Sequence, residues 1–141
     1  MEQKKRMIQL DIRVQWGDMD AMQHVNNTIY LKWVESARLL LFEKLIAGDE
    51  KASIISPILA WQDIKYISPV VYPDTVTIHF DIVGVEEDRL HAVAELYSSA
   101  QNRLVAISKS TLKAYDITQL KKAEIPSQWL SVLRTYYNDL F

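Results

Sequence analysis

At 141 residues the chain is most simply one domain, residues 1–141, and long enough to bury a real core. With 49% hydrophobic and 24% charged residues it has the make-up of an ordinary globular protein, not a disordered one. A net charge of −2 with no long basic run argues against nucleic acid as a partner, and the lack of cysteine excludes disulfides, thiolate zinc sites and a cysteine nucleophile. Lys4-Lys5-Arg6, the one basic cluster near the start, reads as a solvated tail. No apolar run approaches the ~20 residues that span a bilayer, and Gln9, Asp11 and Arg13 interrupt what would be a signal-peptide core. A soluble cytoplasmic protein without a membrane partner is the expectation. Neither an internal repeat nor a Pro/Gly/Ser linker divides the chain.

Ile8, Leu10, Ile12, Val14 and Trp16 alternate with Gln9, Asp11, Arg13 and Gln15, the period of a half-buried strand. Residues Thr28 to about Ala47 read as a helix closed by Gly48 at C′. That helix is apolar almost all round, with Lys32, Glu35 and Glu43 as a narrow polar stripe, so it is expected to be buried or shared with another subunit. Four strands follow. Ser53 to Tyr66 is the least regular, and Pro57 places its start at an edge or bulge. Asp74 to Val85, Arg89 to Ser98 and Leu104 to Tyr115 are joined by the short turns Glu86-Glu87-Asp88 and Ala100-Gln101-Asn102, which predicts an antiparallel meander. Pro126 at N1 opens a C-terminal helix carrying Trp129, Leu130, Leu133 and Tyr137. The fold class is α+β, a five-stranded antiparallel sheet wrapped around one long helix, with a second helix at the end. Sheet edges without cover favour edge-to-edge pairing of two copies.

The polar stretch from Trp16 to Asn27 stands out. It crowds Asp18, Asp20, Gln23, His24, Asn26 and Asn27 between a strand and an apolar helix. The first backbone N–H groups of a helix lack intrahelical partners and lie at the positive end of its dipole. A carboxylate beside them can act as nucleophile or general base while an N–H stabilises a developing oxyanion. An aspartate is normally ionised near neutral pH, as both routes require. Asn27 also reads as an ordinary helix cap, and Asp18 as a residue that shapes the turn.

Gly17-Asp18-Met19-Asp20, then Gln23-His24-Val25-Asn26-Asn27, then Tyr30, Trp33, Glu35, Ala37 and Arg38 resemble the hotdog-fold acyl-CoA thioesterases of the 4-hydroxybenzoyl-CoA thioesterase type. Tyr66-Ile67-Ser68-Pro69 with Tyr72-Pro73-Asp74 looks like that family's junction of second and third strands, and the likeness covers about Met7 to Tyr115. It implies a hotdog fold, paired as a homodimer or homotetramer with active sites between subunits. It also implies hydrolysis of an acyl-CoA to acid and CoA, with CoA entering as part of the substrate and no separate cofactor or metal. The resemblance places the catalytic carboxylate on Asp20 and the oxyanion donor at the backbone near Asn27. His24, Val25, Tyr30, Tyr66 and Pro69 are the expected substrate contacts, with Asp18 and Gln23 as loop supports. Gln23 stands where the pattern commonly has Gly, and Gln tolerates positive φ poorly. Gln-His-Val-Asn-Asn is similar to the long-chain branch, which implies a fatty acyl group. The alternatives are a non-catalytic acyl-binding protein on the same fold and a hotdog hydratase or dehydratase.

Three further expectations concern charged groups. Glu35 and Arg38, three apart on the helix, read as a surface ion pair. His79 and His91, on polar strand faces, read as solvated, and three scattered His without Cys make a metal centre unexpected. For the CoA nucleotide, Lys65, Lys109, Lys113, Lys121 and Lys122 are candidates only as basic residues late in the chain.

Overall fold

The computed structural model describes residues 6–46 and 54–140. Among these residues six strands and two helices follow one another as β1 (Ile8–Arg13), α1 (Asn27–Ile46), β2 (Ile55–Tyr66), β3 (Thr75–Val85), β4 (Arg89–Ser98), β5 (Arg103–Asp116), β6 (Lys121–Lys122) and α2 (Ser127–Tyr136), with a 3₁₀ turn at Trp16–Asp18. All pairings are antiparallel, in the order β1-β3-β4-β5-β2, and the two-residue β6 adds to β5. The meander β3-β4-β5 arises from the two short polar turns, as the sequence predicts. This is the hotdog arrangement of a sheet around a long helix.

Period-two patterning decides which side of the sheet becomes core. Val76, Ile78, Phe80 and Ile82 of β3 are buried, as are Leu90, Ala92, Ala94 and Leu96 of β4. Tyr30, Trp33, Val34, Ala37, Leu41 and Leu45 of α1 recur at helical spacing and are buried with them in one cluster. Fully burying a side chain such as Leu41 or Phe80 contributes roughly 1.5–3 kcal/mol, so this layer dominates the stability. The other face of α1 is less apolar in surroundings than in sequence: Leu39 is 59% exposed beside exposed Lys32, Glu35 and Ser36.

Several boundaries differ from the sequence reading. β1 stops at Arg13, Val14 N–H still bonds Asp74 C=O at 2.9 Å in the same register, and the chain then turns through the Gln15–Asp18 bonds of the 3₁₀ turn, which leaves Trp16 73% exposed. α1 begins one residue earlier than expected, at Asn27, while Ala47, Gly48 and Ser53 lie outside the described residues. Pro126 is the N-cap of α2 instead of N1, and its carbonyl accepts from Trp129 N–H at 3.0 Å. Pro57 does sit on an edge strand, but the bulge falls at Leu59/Trp61.

α2 is tied down by polar contacts as well as by Trp129 and Leu133. Gln128 Nε2 donates to Ile46 C=O at 2.7 Å. Tyr137, just past the helix, donates from its hydroxyl to Asp81 Oδ1 at 2.9 Å and accepts from Ile82 N–H at 3.0 Å. Asp81, 4% exposed, also takes Arg6 Nη1 at 2.9 Å and Met7 N–H at 3.3 Å. A buried carboxylate needs such donors to offset the loss of water. Burial, and the neighbouring Asp81 charge, push the Tyr137 phenol well above its ordinary range.

Candidate active site

The polar stretch folds as two linked turns. Gln15 N–H donates to Asp18 Oδ2 at 2.8 Å and Asp18 N–H to Gln15 C=O at 3.0 Å, which closes the 3₁₀ turn. Asp18 is thereby a shaper of backbone, and its carbonyl receives Asn26 N–H at 2.9 Å. Met19 and Val25 then form a bridge, and Asp20 N–H reaches His24 C=O at 3.1 Å, so residues 20–24 make a closed loop. Within it Gln23 takes φ 61°, the left-handed region that a glycine would occupy without strain. Asp20 is exposed, and its Oδ1 accepts Met22 N–H at 2.9 Å. Its Oδ2 has no hydrogen-bond donor among the described residues.

Asn26, not Asn27, caps α1. Its Oδ1 accepts both the N–H and the Oγ1 hydroxyl of Thr28, at 2.9 and 2.8 Å, and its carbonyl accepts Ile29 N–H at 2.9 Å. These bonds satisfy the N–H groups of the second and third helical residues. The Asn27 N–H, first in the helix, has no acceptor among the described residues, as expected at that position. The Asn27 carbonyl is engaged by Tyr66 Oη at 2.8 Å. Tyr30 lies edge-on to Tyr66 with ring centroids 5.1 Å apart, and its hydroxyl accepts Val70 N–H at 3.1 Å. Val70 C=O in turn accepts Val25 N–H at 2.9 Å, tying the helix start to the Asp20 loop.

Two hollows flank this tie. One, about 280 Å³, is lined by Val25, Asn27, Tyr30, Tyr66, Ile67, Ser68 and Pro69. The other, about 400 Å³, is lined by Asp20 and Gln23 with Trp16, Met19, Val71 and Tyr72. Five expected site residues thus share the first hollow, and Asp20 and Gln23 share the second. His24 is exposed and lines neither. Trp16, Met19, Val71 and Tyr72 were not expected at the site. The only sequence signal for Trp16 pointed inward along β1, which the 3₁₀ turn redirects.

Other expectations need correction. Glu35 and Arg38 form no ion pair; burial holds the Arg38 guanidinium below its ordinary pKa, opposed by the nearby Glu35 charge, and its Nη1 is buried without a partner. His79 and His91 are not simply solvated. His79 is half-buried against Tyr97 with ring centroids 5.1 Å apart, and desolvation, then the Arg6 charge, lowers its pKa against Glu95, Asp81 and Asp11. His91 pairs with Glu86 through Nε2 and meets Thr111 at 3.3 Å through Nδ1. Of the basic candidates, Lys65 and Lys109 share a hollow of about 310 Å³ with Asp63, Ile64 and Ile107. No cluster of three His, Asp or Glu suited to a metal ion occurs among the described residues, and no helix there is long and apolar enough to cross a membrane.

Known proteins repeat this architecture. The fold matches the PA2801 protein of Pseudomonas aeruginosa with a TM-score of 0.80 at 25% identity, over 92% of this chain and 99% of that one. Slr0204, a 1,4-dihydroxy-2-naphthoyl-CoA thioesterase of Synechocystis, matches at 0.75 and 16% identity over 89% and 94%. A thioesterase of Thermus thermophilus complexed with coenzyme A and Zn matches at 0.78 and 19% identity over 92% and 98%. No curated protein matches the chain. Residues 14–133 match the profile of the thioesterase-like superfamily, and the chain belongs to that family as a thioester hydrolase of the hotdog fold.

Proposed function

We propose that the chain hydrolyses a fatty acyl-CoA to the free acid and CoA, with Asp20 as the reacting carboxylate and the Asn27 N–H as oxyanion donor. The observation that carries this reading is the state of those two groups. Asp20 keeps one carboxylate oxygen on Met22 N–H and leaves the other open in an apolar-walled hollow, while Asn27 keeps a free N–H at the positive end of α1. On the nucleophilic route Asp20 Oδ2 adds to the thioester carbon, the C–S bond breaks, and the CoA thiolate leaves and takes a proton from solvent. Water then cleaves the mixed anhydride and restores the carboxylate. On the general-base route Asp20 takes a proton from water as that water adds, and returns it to the departing sulfur. Either way the carbonyl oxygen gains charge that the Asn27 N–H can stabilise. Trp16, Met19, Val71 and Tyr72, which line the Asp20 hollow, support an aliphatic acyl group.

The working unit in this reading is a homodimer. Among the described residues β2 pairs only with β5, and this edge strand carries exposed Ile58, Trp61 and Tyr66. A monomer by light scattering at micromolar concentration would count against the pairing. For the chemistry, thiol release from a panel of acyl-CoA esters is compared between wild type and Asp20→Asn. The amide keeps an oxygen for Met22 N–H, so the loop survives while basicity is lost. Turnover is expected to fall at least ~10²-fold. An unimpaired variant would refute the role of Asp20, and a wild type inert on every ester would favour a binding protein.

A further inference from the structure

We infer that Tyr66 is a positioning residue for the oxyanion donor, acting on Asn27 through the backbone. The inference rests on the reading of Asn27 given above and adds a role that the hollow's outline alone does not assign. Tyr66 closes β2, the strand whose outer edge is unpaired among the described residues, and at 43% exposure it forms part of the wall of the Asn27 hollow. A tyrosine so placed could simply cover substrate. Its hydroxyl instead spends its proton on the Asn27 carbonyl at 2.8 Å.

That bond matters because the donor's own residue has few other restraints. The Asn27 N–H is free, and Asn26 directs its cap to Thr28 and Ile29. Apart from the helix ladder, the phenol is the only group among the described residues that holds the Asn27 backbone from outside α1. The far end of the clamp is rigid. The Tyr66 ring stands edge-on to Tyr30, which is 3% exposed and bonded to Val70 N–H. The 67–70 segment is held by Ile67 N–H and Ser68 N–H on Val105 C=O, at 2.8 and 3.2 Å, and by Gln101 Nε2 on Pro69 C=O at 2.7 Å. Val70 C=O then receives Val25 N–H from the loop that carries Asp20. Tyr66 and Tyr30 therefore set the first turn of α1 and the Asp20 loop against one common segment. A donor that stabilises a transition state must be aimed before charge develops, and this clamp aims it.

Tyr66→Phe keeps the ring and its contact with Tyr30 and removes only the bond to Asn27. Turnover is expected to fall about tenfold, the scale of one hydrogen bond expressed in the transition state, with KM within about twofold. Because Tyr66 is partly exposed, the thermal midpoint should move little. Tyr30→Phe supplies the contrast: it strips a buried N–H of its acceptor, so it should lower the thermal midpoint. A readout independent of turnover is the amide proton shift of Asn27 by NMR, expected to move in Tyr66→Phe while the amides of α2 stay. Equal kcat in Tyr66→Phe and wild type, a kcat loss that tracks loss of folded protein, or an unmoved Asn27 amide overturns the inference. A wild type without turnover on any ester condemns the reading of the site itself, which the amide shift does not depend on.

Discussion

Replacing Asn27 by proline tests the oxyanion donor with little disturbance to the fold. With Asn26 as the cap, Asn27 is the first helical residue, where proline's fixed φ is pre-organised and its missing N–H breaks no helical bond. A capping residue normally has extended backbone, which is also what a following proline requires. The Tyr66 bond ends on the Asn27 carbonyl, and proline retains that carbonyl. Asn27→Ala is the control: it loses the same side chain but keeps the N–H. If that N–H stabilises the oxyanion, Asn27→Pro should be slower than Asn27→Ala by ~10²–10³ in kcat, or ~3–4 kcal/mol. The two variants should unfold within ~1 kcal/mol of each other, since proline at this position replaces no bonded group. Initial rates of thiol release at saturating acyl-CoA, with urea unfolding of each variant, measure both quantities. A proline variant within about threefold of the alanine variant would refute the assignment, whatever Asp20 does.

Tyr137→Phe should cost ~2–3 kcal/mol, about 6–12 °C in Tm, because it leaves buried Ile82 N–H without an acceptor and takes one donor from Asp81. Urea midpoints equal to wild type would mean that water replaces the phenol. Burial disfavours the imidazolium of His79 in the folded chain, so the unfolded chain binds that proton first as pH falls. The stability His79 contributes is complete above its ordinary pKa of ~6.5 and is lost as pH falls below it towards the lowered folded value. His79→Gln should accordingly narrow the gap in Tm between pH 8 and pH 5.5, and an unchanged gap would exclude His79 as its source. Gln23→Gly should raise stability by ~0.5–1 kcal/mol, since glycine takes φ 61° without the clash a Cβ makes; a lower urea midpoint would show that the Gln side chain matters more than the strain.

The fold is legible in the sequence wherever one periodicity runs uninterrupted. In β3 and β4 the alternating residues Val76, Ile78, Phe80 and Ile82, and Leu90, Ala92, Ala94 and Leu96, are apolar and buried. The long helix is legible too, but its surroundings are not. Leu39 and Leu40 look alike in a run of leucines, yet only Leu39 is largely exposed, since one face of α1 meets the sheet. Patterns also mislead where tertiary bonds intervene. The alternation that puts Trp16 inside extends past the point where Val14 bonds Asp74, and the chain turns before Trp16 can pair. Glu35 and Arg38 have ion-pair spacing, but the guanidinium lies in a buried place that spacing does not reveal.

At the site the same limit has a chemical consequence. Asn26 and Asn27 are identical as residue types, and either could cap the helix. Which one does so decides which N–H is left free: a cap at 27 would move the first helical N–H to Thr28. The choice falls to Asn26 because Asp18 C=O holds its N–H and directs its side chain into the first turn. Asp18 in turn is positioned by Gln15, where β1 gives way to the 3₁₀ turn. The first carboxylate of the Asp18-Met19-Asp20 triplet thus acts through backbone geometry, setting the free N–H one residue beyond the cap. Asp20 stands beyond the same turn with an oxygen to spare. Two aspartates two residues apart each accept one loop N–H, and they serve different ends because Asp20 alone lines an open hollow.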